Sequence, residues 1–198
     1  MTVLEPTPED IIHFWFEEAG PKKWYAVSPK FDARVRRRFA RTVERHSRPL
    51  KSLDHPWLSS PDGAFALIIL FDQMPRNIWR GSGRAFAYDQ FARFVALDMI
   101  DRGFDWAIDA ARRDFIYMPF MHSENMDFQN LCVQMATERL EGDNTLHHAL
   151  KHREVIERFG RFPYRNEALG RQSTPEEIDY LESGGYAPGR QKPKPARV

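Results

Sequence analysis

One stretch constrains this chain more than any other. Ala64-Phe65-Ala66-Leu67-Ile68-Ile69-Leu70-Phe71 carries no polar side chain, and Asp72-Gln73-Met74-Pro75-Arg76-Asn77 follows it at once. A segment apolar on every side must be buried on every side, so it has to run through the middle of the fold. A buried parallel strand reads similarly. Ser60-Pro61-Asp62 ahead of it, however, is a helix start with a cap, a first-turn proline and an early acid, and no strand-helix-strand rhythm flanks it. The expectation is a central buried helix over 61–74, ended by Pro75. The run is far too short to span a bilayer.

Helix signals continue on both sides. Thr7-Pro8-Glu9-Asp10 opens a helix whose Ile11, Ile12, Trp15, Phe16 and Ala19 share one face, and Gly20-Pro21 closes it. Ser28-Pro29 opens a second, with Phe31, Val35 and Phe39 as its stripe, running to about His46. A helix is expected from Gly83 to Arg102, supported by the i,i+4 pairs Asp89/Arg93 and Asp98/Arg102 and closed by Gly103. A short one over Ala110 to Met118 stops before Pro119, and Ser123 caps the next. Asn144 to Phe159 ends at Gly160, and Ser173-Thr174-Pro175 starts a last one that Gly184-Gly185 ends. No convincing strand pair emerges. With 198 residues, fifteen of them Phe, the chain has enough apolar material for one core.

The expected fold is therefore all-α, with about eight helices stacked as antiparallel pairs. It forms a single domain over 1–186, followed by a disordered Pro-, Lys- and Arg-rich tail over 187–198. The net charge of +1 argues against a global field for nucleic acid or membrane binding. Cys132 is the single cysteine and lies on an apolar stripe, which suits a buried thiol in a reducing compartment. The first residues lack a basic segment followed by an apolar one, so no signal peptide is read and the cytoplasm is the expected location.

Five clusters carry possible chemistry. Asp72, Gln73, Arg76, Asn77 and Arg80 sit directly behind the most apolar helix, where an unpaired buried polar group costs about 1–3 kcal/mol. They must pair with one another, with the helix end or with a ligand, and Asp72 can accept a bidentate guanidinium from Arg76 or Arg80. His122-Ser123-Glu124 reads either as a helix start or as an acid/base or ligand pair of His122 and Glu124. No Gly-x-Ser-x-Gly elbow surrounds Ser123. His148 and His152 are spaced i,i+4 on an apolar arc. Two nitrogens alone do not make a metal site, and neither metal nor cofactor is expected. Arg165-Asn166 echoes Arg76-Asn77, so two loops can set two guanidinium groups round one anion. Arg34, Arg38, Arg41 and Arg45 form a basic ridge that reads as a solvated face or as a phosphate contact.

Several of these segments together resemble a known family. They are Phe71-Asp72-Gln73-Met74-Pro75-Arg76-Asn77, Arg80-Gly81, Ala85-Phe86-Ala87-Tyr88-Asp89, Tyr117-Met118-Pro119-Phe120-Met121-His122-Ser123-Glu124, Gly160-Arg161-Phe162-Pro163-Tyr164-Arg165-Asn166, and Leu169-Gly170-Arg171-Gln172-Ser173-Thr174, with Ile12-His13-Phe14-Trp15-Phe16 near the start. In this order they resemble the bacterial domain of unknown function 924 (DUF924). The family pattern usually has Phe or Leu where Met74 stands and His where Tyr164 stands. The resemblance implies an all-α fold similar to the right-handed superhelices of tetratricopeptide (TPR) repeats, and it implies no activity.

The expected function is a binding module for a small anionic molecule or a peptide terminus. Asp72, Gln73, Arg76, Asn77, Arg80, His122, Glu124, His152, Arg165 and Asn166 are the candidate lining of its concave groove. The alternatives are a hydrolase or transferase on a small polar substrate, with His122 and Glu124 as acid and base, and RNA binding through the Arg34–Arg45 ridge. Nucleic acid is not the expected partner.

Overall fold

The protein is described by a computed structural model covering residues 5–48 and 54–188. From residue 189 onward, the tail expected to be disordered lies outside the described residues. Among them there is no strand; the chain is all-α.

Helix α1 (Pro8–His13) starts on a reciprocal capping box between Thr7 and Asp10, then widens into a π-turn over Phe14–Ala19. A short α2 (Pro21–Trp24) leads to α3 (Pro29–His46), capped by Ser28 and buried along Phe31, Val35, Phe39 and Val43. The expected central rod is present as α4 (Pro61–Ile68), and every residue from Gly63 to Pro75 is buried. It packs against α1, against α6 (Asp89–Asp101) and against α7 (Asp114–Met121).

The rod does not end at Pro75. A π-turn over Ile69–Gln73 comes first, with the Met74 N–H bonded to the Ile69 carbonyl, and the chain continues as α5 (Met74–Ile78). Proline lacks an N–H and its ring crowds the carbonyl four residues back; a widened turn just ahead carries the helix past it. Pro119 likewise sits inside α7 rather than after it, and α7 begins at Asp114, later than Ala110. Residues Phe115 to Met121 are all buried, so packing outweighs the one backbone bond that proline deletes.

The expected helix over 83–102 is broken in two. Ser82 caps a 3₁₀ turn, Gly83–Phe86, and α6 starts only at Asp89. Gly83 lies against the Ala168 backbone, where a Cβ would stand 2.9 Å from the carbonyl oxygen, so this turn and the loop near residue 168 sit side by side. Helix α8 (Met126–Arg139) is capped by Asn125, whose Oδ1 accepts from the Asp127 and Phe128 N–H groups; Ser123 is not the cap. Helix α9 (Asn144–Phe159) stops at Gly160, which takes the left-handed conformation at φ 66°. The chain then reverses into a 3₁₀ turn, Pro163–Arg165, and α10 (Pro175–Glu182) closes the described part on a second capping box. Counting α4, its π-turn and α5 as one rod, nine rods are described. Helix α8 packs against both α7 and α9. No helix among the described residues is long and apolar enough to cross a membrane.

Candidate functional site

The polar residues behind the central rod have their partners far along the chain. Asp72 is wholly buried on the π-turn. Its carboxylate accepts from Arg76 Nη2 at 2.9 Å, from Gln73 Nε2 at 2.6 Å, and from His122 Nδ1, which lies 2.8 and 3.0 Å from the two oxygens. His122 is presented by the last turn of α7, where its backbone N–H still bonds to the Met118 carbonyl. Burial opposes the charged form of Asp72, but His122 and Arg76 outweigh it and hold the carboxyl well below its ordinary range. Because an ionised carboxylate only accepts, Nδ1 of His122 is the donor and Nε2 carries the lone pair. Burial, against the pull of Asp72 and with help from Arg76 and Arg165, lowers the imidazole below its usual value, so His122 is neutral at neutral pH.

The two Arg-Asn loops do set two guanidinium groups round one anion, and that anion belongs to the protein. Arg76 Nη2 lies 3.2 Å from Asp89 Oδ1 at the start of α6, and Arg165 Nη1 lies 3.7 Å from Asp89 Oδ2. Both guanidinium groups also lie over the Phe86 ring, and Arg165 packs on Phe162 as well. Arg165 is 4% exposed, yet its Nε has no partner, nor do Nε and Nη1 of Arg76. Asp89 pairs with these two arginines and not with Arg93, the i,i+4 partner expected from sequence. Arg93 lies over the Phe128 ring and makes no ion pair among the described residues.

These groups border a cleft of about 490 Å³ whose walls include Phe86, Asp89, Gln90, Arg93, His122, Ser123, Glu124, Arg165 and Leu169. Of the expected site residues, His122, Glu124 and Arg165 line it directly, while Asp72, Gln73 and Arg76 stand behind them. Glu124 is not joined to His122. Its oxygens accept from Arg171 at 2.6 and 2.9 Å and from the Phe162 N–H at 2.8 Å, which pins the loop after α9 to the turn before α8.

Other candidates point elsewhere. Arg80 and Asn77 both bond to Asp32 of α3, at 2.7–3.0 Å. Asn166 reaches Ser173 and Glu177 and braces α10. His152 lies behind His122, with ring centroids 6.0 Å apart; its Nδ1 bonds to the His148 carbonyl, and its buried Nε2 has no partner. His148 bonds to the Tyr186 hydroxyl. On the basic ridge, Arg34 and Arg38 both clamp Glu18, and Arg45 pairs with Glu5. No group of three or more His, Cys, Asp or Glu among the described residues can hold a metal ion.

Sequence reasoning passed over Asp32, Asp89, Arg93 and Arg171 as site or bracing residues. Asp89 and Arg171 lay within the quoted segments Ala85–Asp89 and Leu169–Thr174, and nothing local marked either as a long-range partner.

The match with known proteins agrees with this architecture. A structure of a protein of unknown function from Agrobacterium tumefaciens superposes with a TM-score of 0.81 at 41% identity, covering 89% of this chain and 97% of that one. No curated protein matches the chain. The model of the family described as a bacterial protein of unknown function, DUF924, matches residues 11–185 and so takes in every residue of the cleft; the chain belongs to the DUF924 family.

Proposed function

We propose that the protein binds a small anionic molecule in the cleft between α6, the turn at His122 and the loop over 162–166. The observation that carries this reading is a charge mismatch at a buried site. Among the described residues, Arg76, Arg93, Arg165 and Arg171 stand beside Asp72, Asp89 and Glu124, which leaves one positive charge over, and half-buried Arg93, on the cleft wall, makes no ion pair. A charge left without a counter-ion beside a buried ionic cluster is costly, and a ligand carboxylate or phosphate at Arg93 would balance it with charge-assisted hydrogen bonds. The cleft volume suits a small molecule; a peptide terminus is the other occupant of the same chemistry.

Isothermal titration with adipate, inorganic phosphate and a short acetylated peptide tests this. Arg93→Gln and Arg165→Met should each weaken binding by about tenfold or more, the loss expected for a charge-assisted contact, with helical circular dichroism unchanged. Equal affinity in wild type and both variants would refute the reading. A TPR-like superhelical stacking belongs to the same proposal, supported by the contacts of α8 with the helices before and after it. So does a cytoplasmic location, which the single buried thiol suits. RNA binding has less support, because two of the four ridge arginines are already held by Glu18.

A further inference from the structure

We infer that the Asp72–His122 pair is a general base that makes this cleft a hydrolase site for small anionic esters, with water as the nucleophile. The inference rests on the anion-binding reading above and adds a reaction to it.

Four features lead there. First, Asp72 contacts Nδ1 of His122 with both oxygens, which fixes the ring and its tautomer and leaves Nε2 as a lone pair. Second, the His122 side chain keeps 16% of its surface exposed and lines the cleft, while Asp72 is sealed behind it. A buried carboxylate in that place stabilises the imidazolium that forms on proton uptake. Third, Arg165 and Arg93 border the same cleft, so one guanidinium can hold the anionic end of a substrate while the other faces charge that develops at the reacting carbonyl. Fourth, the nearby candidate nucleophiles are unavailable. Cys132 is fully buried on α8 with its thiol pushed up by burial. Ser123, though it lines the cleft, makes no hydrogen bond among the described residues to His122, whose Nδ1 is taken by Asp72. A base with no protein nucleophile to activate acts on water.

Nε2 of His122 takes a proton from water as the water oxygen bonds to the ester carbonyl carbon, and the carbonyl electron pair moves onto its oxygen. When that pair returns, the bond from carbon to the leaving oxygen breaks. The departing alkoxide takes the proton back from Nε2, giving a carboxylic acid, an alcohol and neutral His122. Glu124, held by Arg171 and the Phe162 N–H, has no part in this step.

The test uses the full chain with p-nitrophenyl hemiadipate, the neutral p-nitrophenyl butyrate, and adipate as the binding probe. Wild type should cleave the anionic ester with a kcat/KM at least about tenfold above the neutral one, the worth of one charge-assisted contact. His122→Gln should lose about a hundredfold in kcat, the lower end of a general base's contribution, a far larger loss than any in adipate affinity, while keeping its circular dichroism. Activity should stay level from pH 8 to below 6.5 and fall only under that, because the imidazole titrates below its ordinary value. Adipate binding without His122-dependent hydrolysis overturns the catalytic role and leaves the binding reading standing. Failure to bind adipate, phosphate or peptide overturns both.

Discussion

His152 offers the sharpest quantitative test of the buried polar layer. It is 3% exposed, edge-on to Phe162 and Tyr186, with one ring nitrogen on the His148 carbonyl and the other unpartnered. Burial first, then the neighbouring His122 and Arg165, push its imidazole down to about 3 from 6.5. A histidine lowered in the folded state binds fewer protons than in the unfolded chain. Its penalty is therefore absent above pH 6.5 and grows as pH falls from there toward the folded value. Between pH 7.5 and 5.0, linkage over that interval gives a loss of about 2 kcal/mol from this residue alone. His152→Leu keeps a similar volume and leaves the His148 carbonyl its helical backbone partner, so its cost at pH 7.5 should be under about 1.5 kcal/mol. Urea denaturation of both proteins at the two pH values, with m-values checked for equality, reads the difference. Wild type should lose about 2 kcal/mol more than the variant on acidification. Equal losses would mean that His152 is not held neutral, and the account of this layer would fail.

Three further outcomes follow from the same packing. Asp72→Asn removes the buried charge that Arg76 and the His122 ring both use, and should cost about 3–5 kcal/mol in urea denaturation; a loss below about 1 kcal/mol would show that Arg76 finds its counter-charge elsewhere. Gly63→Ala places a Cβ 2.3 Å from the Trp57 carbonyl oxygen, and should lower stability by about 1–3 kcal/mol by overpacking, read as a drop in melting temperature. Cys132 is fully buried with its thiol pushed up to about 12, so the native protein should resist a thiol-specific disulfide reagent at pH 8 and react only on unfolding, whereas rapid native labelling would contradict its burial.

How much of this was legible in the sequence follows the range of the interaction involved. Thr7, Ser28, Ser60 and Thr174 cap helices because a side-chain oxygen meets an N–H two or three residues on, and Gly160 ends one because the left-handed turn suits glycine. Such contacts lie within one helical turn, so reading them needs no tertiary structure. The apolar run over 64–71 likewise declared its own central burial. Prolines misled because their effect depends on surroundings: a π-turn ahead of Pro75 and a fully buried face around Pro119 keep both helices intact. Ser123 misled because Asn125, two residues later, offered an equally good cap.

Local pattern was thus enough for an all-α chain, the axis it packs around, and the need for the polar residues behind that axis to find partners. Which partners they found was decided by the tertiary structure. Asp72 meets His122 across 50 residues, Arg80 meets Asp32 across 48, and Arg171 meets Glu124 across 47. Every carboxylate in the chain is chemically acceptable to every arginine, so local pattern does not rank the pairings. Only the packing of one helix on another brings a given pair within hydrogen-bond reach, and it was that packing which joined His122 to Asp72 rather than to Glu124.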